Sequence, residues 1–304
     1  MCKLTTLLVL AFAAVAIALP TLRLDGEVSN KTVSLRLNGP TGPLTDQTMI
    51  VRAFPDHIDE LSAYVVTTRM MSILALQNYE GQMGRKTMVY DVDPYNLVQL
   101  EVKPTRSPTV PRKVVIECLF AAIEWMVQVN FVHVEFIFVD DDHPTQPVKI
   151  IYTRHNPGTP KTLEARDDDL TATRALDLGA VVAAEFTYID RGATLTSPEV
   201  WLITMSGLKV AAMHDKDQNM PHSRVSSVDI NARCEIQGVG GGATPPGFTA
   251  LGLITALWNM PRWMVTNGRL VEVKGVVKYD GTPTGEILLK KGQGGPYVAL
   301  PETA

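Results

Sequence analysis

Three stretches of this chain are apolar on nearly every side of a helix, and that limits the available folds more than any other feature. They are "VVIECLFAAIEWMV", "VWLITMSGLKVAAM", in which only Lys209 is charged, and "FTALGLITALW". A helix that covers one face of a sheet shows an apolar stripe and a polar back, whereas a helix apolar all round must be buried on both sides. Three arrangements satisfy this: two helical layers packed against each other, a homodimer through the helical face, or a groove between helices that holds an apolar ligand. In the first arrangement Trp125, Trp201 and Trp258 are all interior.

The elements around these helices occur twice in the same order. The first half opens on the strand "TVSLRLNG", where Val33, Leu35 and Leu37 alternate with polar residues. A helix is expected from about Asp56, capped by that residue, with Asp59 and Glu60 in its first turn. The strands "KTMVYDV" and "LVQLEV" follow, split by Asp93-Pro94. A second helix starts near Pro111, and the strands "VHVEFIFV" and "VKIIYTR" close the half around an acidic turn, Asp140 to His143. The second half runs from the strand "VVAAEFTYI" to a helix announced by Ser197-Pro198-Glu199, then to the strand "SSVDINARCEI". A helix opened by Thr244-Pro245 comes next, which Pro261 ends or kinks, and then the strands "RLVEVKGVVKY" and "GEILLKK" around an Asp280-Gly281 turn. This pattern predicts an α+β chain of two tandem units, each a mainly antiparallel sheet with two helices on one face, the helical layers packed together. The expected division is 19–158 for the first unit, a polar linker over 159–174, 175–295 for the second unit, and a tail over 296–304.

The start of the chain reads as a cleavable signal peptide over residues 1–18. Lys3 supplies a short positive region, Leu7 to Leu19 an uncharged apolar run, and Ala16-Ile17-Ala18 the small-x-small pattern of a cleavage site. The run is shorter than the ~20 residues that a spanning helix needs. The mature chain of about 285 residues is then expected to be secreted and extracellular, with room for one large or two small domains. Asn30-Lys31-Thr32 is a glycosylation sequon near its new N-terminus. The net charge of −4 comes with scattered lysines and arginines, which argues against a nucleic-acid stripe or a polybasic membrane patch. Cys2 leaves with the signal peptide. Cys118 and Cys234 could form one bridge or stand apart as small apolar side chains, and the sequence leaves both open.

Chemistry-bearing clusters are sparse. His133 and Glu135 share one strand face, with Glu101 and Gln99 expected on a neighbouring strand. A histidine beside carboxylates would have a raised pKa and could serve an extracellular hydrolase as an acid–base pair, although no nucleophile accompanies it. The loop "HDKDQNMPH" sets Asp215, Asp217 and Asn219 at the spacing of a calcium loop, but Met220 stands where glycine is needed and no twelfth-position acid follows. The glycine-rich "GVGGGATPPG" matches no phosphate-binding spacing. No cofactor is implied. These readings favour a secreted non-catalytic protein that binds a partner, a glycan or an apolar ligand, with the hydrolase as the alternative.

Overall fold

The computed structural model describes residues 29–39, 42–90, 92–140, 147–156, 182–226, 231–238, 247–292 and 298–299. The expected signal peptide, the whole of the linker, most of the tail, the turn residues Asp141 to His143 and residues 239–246 of the glycine-rich loop lie outside the described residues. In the first unit the order is β1 (Ser29–Gly39), β2 (Gly42–His57), α1 (Glu60–Ala75), β3 (Gln82–Met83), β4 (Lys86–Val89), β5 (Val98–Pro104), β6 (Val110–Pro111), α2 (Arg112–Gln128), β7 (Val132–Asp140) and β8 (Val148–Arg154). The second has β9 (Val182–Tyr188), α3 (Ser197–Ala212), β10 (Ser223–Ser226), β11 (Ala232–Gly238), α4 (Ala250–Thr266), β12 (Val273–Tyr279), β13 (Thr282–Lys291) and β14 (Val298–Ala299).

The duplication seen in the sequence is a duplication of topology. The first sheet runs β1-β2-β7-β8-β5-β4 and the second β14-β10-β11-β13-β12-β9, with antiparallel neighbours throughout. Removing β1 and β14 leaves the same five-strand order in both, β2-β7-β8-β5-β4 against β9-β12-β13-β11-β10. The two added strands sit on opposite edges of that common core: β1 pairs with β2, and β14 with β10.

Each sheet turns an apolar face inward. Val134, Phe136 and Phe138 of β7 are buried, as are Val273 and Val277 of β12. The four helices of the described residues lie between the sheets and pack on one another, α3 touching α1, α2 and α4. Trp125, Trp201 and Trp258 are interior. The indole of Trp201 stacks on the Tyr64 ring of the other unit at 5.6 Å, and the Arg69 guanidinium lies 5.0 Å from the Trp258 ring. Helices apolar all round are thus explained without a second chain: one side meets a sheet, the other meets helices. Gly207 permits the close approach of α3 and α4, since a Cβ there would stand 2.8 Å from Leu257. Polar groups taken inward pair with each other, as Thr67 with the Tyr152 hydroxyl at 2.8 Å and Thr249 with that of Tyr279 at 2.5 Å.

Several local boundaries differ from the sequence reading. Asp56 belongs to β2, a strand missed in the sequence, and the cap of α1 is Asp59, whose carboxylate accepts the Ser62 N–H at 2.7 Å. Thr196 rather than Ser197 caps α3, in a reciprocal box with Glu199. Ser197 instead hydrogen-bonds Glu60 across the unit boundary. The segment read as one strand over Ser226 to Ile236 is a hairpin, with Val225 opposite Cys234. Alternation alone could not reveal that reversal, because the sequence between the two strands, 227–231, carries neither glycine nor proline. The last helix starts from Thr249, not Thr244, and runs through Pro261 to Thr266. One lost N–H bond is outweighed there by burial of Met260, Pro261 and Met264, and the helix stops where Gly268 adopts φ +62°.

Candidate functional site

The outward face of the first sheet holds the residues that suggested acid–base chemistry. Glu135 and Glu101 both stand opposite Ile151, on either side of β8, so the strands do bring them to one face. Both are engaged in ion pairs. Glu135 pairs with Lys149 and, at 3.3 Å, with Arg52. Glu101 pairs with Arg85 at 2.9 Å and Lys103 at 3.5 Å. His133 stacks on Phe54 at 4.4 Å. Contrary to the expected raised pKa, burial pushes it below the usual histidine value, with only a partial opposing pull from Asp56.

The second sheet repeats this pattern of charges. Glu235 lies among Arg233 at 2.9 Å, Lys290 at 3.2 Å and Arg224 at 3.5 Å. Burial alone would raise its carboxyl, but hydrogen bonds from Arg233 and Lys290, and their charges, hold it below the ordinary glutamate value. Glu286 pairs with Lys274 and accepts a bond from Gln237 at 3.1 Å. Both faces are ladders of neutralised charge, a standard way to solvate the open side of a sheet.

In the loop carrying Asp215, Asp217 and Asn219, the backbone carbonyls are turned to structural use. The carbonyls of Lys216 and Gln218 accept the N–H groups of Leu251 and Ala250 at the start of α4, and Met220 is buried. Among the described residues no group of three or more His, Cys, Asp or Glu side chains is placed to hold a metal ion.

Cys118 in α2 and Cys234 in β11 are both buried, and no disulfide joins them. Burial first, then the charge of Glu235, pushes the Cys234 thiol up to about 12. A thiol of that kind is inert toward reagents that attack thiolate. The native protein should therefore leave both cysteines unmodified by a thiol-specific disulfide reagent at pH 8, and both should react once it is denatured. Rapid native labelling of Cys234 would contradict the packing described.

A concave feature lies elsewhere, between β9 and the last turns of α4. It is a groove of about 720 Å³ lined by Ala184, Phe186, Asn259, Arg262, Trp263 and Thr266 together with Glu185 and Thr187. Trp263 packs against Phe186 at 5.7 Å and Tyr188 at 4.7 Å, making an aromatic wall along the strand. Arg269 lies 4.5 Å over the Tyr188 ring. Arg262 is held 4.7 Å from Trp258 and 5.2 Å from Tyr90, and its buried Nε has no hydrogen-bond partner among the described residues. β9 is the terminal strand of its sheet. Sequence reading missed this site because it expected Pro261 to end or kink the helix, and the wall residues Arg262, Trp263 and Thr266 lie beyond that proline. The signal that could have found it is the aromatic pairing of "EFTY" with "RW", which no local pattern connects.

Two units of one topology, helix layers inward and charged faces outward, define a tandem α+β protein. No protein-family model matches the sequence, and no curated protein matches it significantly. Among solved structures, the tandem DUF26 ectodomain of the Arabidopsis thaliana cysteine-rich receptor-like protein PDLP8 matches at 8% identity, covering 80% of this chain and 97% of that one, with a TM-score of 0.24. The tandem architecture stands on the strand order given above rather than on this likeness. No helix among the described residues is long and apolar enough to cross a membrane.

Proposed function

We propose that this chain is a secreted, non-catalytic binding protein whose ligand occupies the groove between β9 and α4. The observation that carries the reading is the pair of groove-lining aromatics Trp263 and Phe186, flanked by Tyr188, beside a sheet edge on which the described residues place no strand. Aromatic side chains that line a concave surface supply most of the affinity at binding sites. Secretion is supported by Lys3, the apolar run to Leu19 and the Ala16-Ile17-Ala18 pattern, and a glycan at Asn30 is compatible with that route. The mature chain then begins near Leu19. The ion pairs that tie up Glu135 and Glu101 weigh against a hydrolase on the first sheet.

Trp263→Ala is expected to weaken binding about 10- to 100-fold, the ordinary loss on truncating an anchor aromatic, while far-ultraviolet dichroism stays that of wild type. The measurement is titration of the secreted protein with candidate peptides, oligosaccharides and apolar ligands, followed by intrinsic fluorescence. Unchanged affinity in the variant would move the site elsewhere. Turnover of a glycosidic, ester or peptide substrate that disappears in Glu135→Gln would overturn the non-catalytic reading.

A further inference from the structure

We propose that the ligand of this groove is an extended segment of another polypeptide, which pairs antiparallel with β9 and adds a strand to the second sheet. The inference rests on the groove being the binding site and names what fills it. It comes from comparing the two units. In the five-strand core, β9 is the counterpart of β2, and α4 the counterpart of α2. The outer edge of β2 is occupied: β1 pairs with it antiparallel along Ser29 to Gly39 and also packs against α2. On the outer edge of β9 the described residues place no strand, and the space beside α4 is the groove. The first unit thus contains, as β1, an example of what the second unit is shaped to accept.

The backbone of β9 is set for this pairing. The Ile189 N–H donates to the Glu272 carbonyl at 3.0 Å, and Tyr188 stands opposite Val273. Hydrogen bonding alternates along an antiparallel ladder. Ala183, Glu185 and Thr187 therefore turn their N–H and C=O groups to β12, while Ala184, Phe186 and Tyr188 present theirs to the open edge. The side chains of those same three residues face α4, so an incoming strand would place every second side chain against Trp263 and Phe186. Edges that must stay unpaired commonly carry proline, a bulge or an inward-pointing charge. β9 has none of these, and its one charge, Glu185, points outward and is neutralised by Lys278 at 2.6 Å. The ligand is accordingly a segment of about five to seven residues, the usual length of a strand, with apolar side chains at alternate positions and no proline. The alternation of Val33, Leu35 and Leu37 in β1 is that chemistry.

The test uses the full secreted chain and a synthetic peptide with the β1 sequence, SNKTVSLRLNG, beside a scrambled control. Hydrogen exchange of Ala184, Phe186 and Tyr188 should be fast in the free protein and at least tenfold slower with peptide. Ala184→Pro deletes an edge N–H that makes no bond to β12, so it should leave folding intact and weaken peptide binding at least tenfold. A peptide N-methylated at alternate residues gives the same answer without altering the protein. Loss of binding in Trp263→Ala but not in Ala184→Pro, nor on N-methylation, would keep the groove and overturn strand pairing. Binding untouched by any of these changes would overturn both. Slow exchange of the three amides in the free monomer would mean that residues 157–181 already cover the edge. Slow exchange that appears only with concentration-dependent dimerisation would assign the edge to a second copy. Either result, or failure of the peptide to bind, overturns the inference.

Discussion

Trp201→Ala is expected to destabilise the protein by about 3–5 kcal/mol, the range for deleting a large aromatic from a close-packed core. Trp201 is fully buried in α3 and stacked nearly parallel, at 5°, on Tyr64 of α1, so the cavity would open where the two units meet. Its indole N–H and the Tyr64 hydroxyl make no hydrogen bond among the described residues, so the contact is one of packing and ring stacking. A loss of this size is a large share of the ~5–15 kcal/mol that holds a typical domain folded. Equilibrium urea unfolding measures it. Because α3 touches both helices of the first unit, the loss should appear in probes from both units, including Trp125 fluorescence. Tyr64→Ala combined with Trp201→Ala should fall short of the summed single effects by about 0.5–1.5 kcal/mol, the worth of an aromatic pair beyond its area. A transition confined to the second unit would mean that the helical layers do not stabilise each other.

Lys209→Met should have a comparable effect with a distinct pH signature. Glu117 of α2 is buried, and its carboxylate is met at 2.5 Å by Lys209 of α3. Burial raises the Glu117 pKa, and the charge and hydrogen bond of Lys209 pull it partly back. Without the lysine, burial acts unopposed and the pKa rises further. Leaving one member of a buried pair alone costs about 3–5 kcal/mol where the group remains ionised, and less where it takes a proton. The sign of the pH dependence follows. For a carboxyl whose folded pKa lies above its unfolded value, the stabilising contribution is complete below the unfolded value and is lost as pH rises through the folded one. The unfolded value is close to the ordinary 4.5. Wild type and variant should therefore converge below about pH 4 and diverge from there toward neutrality, with the variant losing more. Urea midpoints measured between about pH 4 and 8 provide the test. Glu117→Gln on the Lys209→Met background should recover much of the loss at neutral pH, since it removes the buried charge. A difference independent of pH would show that the lysine acts through its packing on Phe120, 4.5 Å away, and not through its charge.

Layering was legible because it depends on composition along a segment. Helices without a polar face require burial on both sides, and strands with one apolar face define which side of each sheet is interior. Two units with inward helices follow from those constraints. Caps and strand ends were less legible, since they turn on which of several adjacent oxygens reaches a helix N–H. Asp56 and Asp59 are equivalent as sequence, and only Asp59 is within reach of Ser62. The charged faces illustrate the opposite limit. The register sets Glu135 and Glu101 on one surface, but both are held in ion pairs by Arg52, Arg85 and Lys149 from other parts of the unit.

The division into two units of similar pattern and the inward direction of the helices are properties of the sequence by itself, because periodicity and burial act on neighbours along the chain. The groove belongs to the tertiary structure alone. Its strand wall lies before α3 and its helix wall after β11, and they meet because β12 returns from α4 to pair with β9. The open edge is likewise a fact of sheet order. β2 and β9 have the same place in their units, yet among the described residues one carries a partner strand and the other does not. No local pattern records that difference, since the free backbone groups of an edge strand are the same groups that every residue carries.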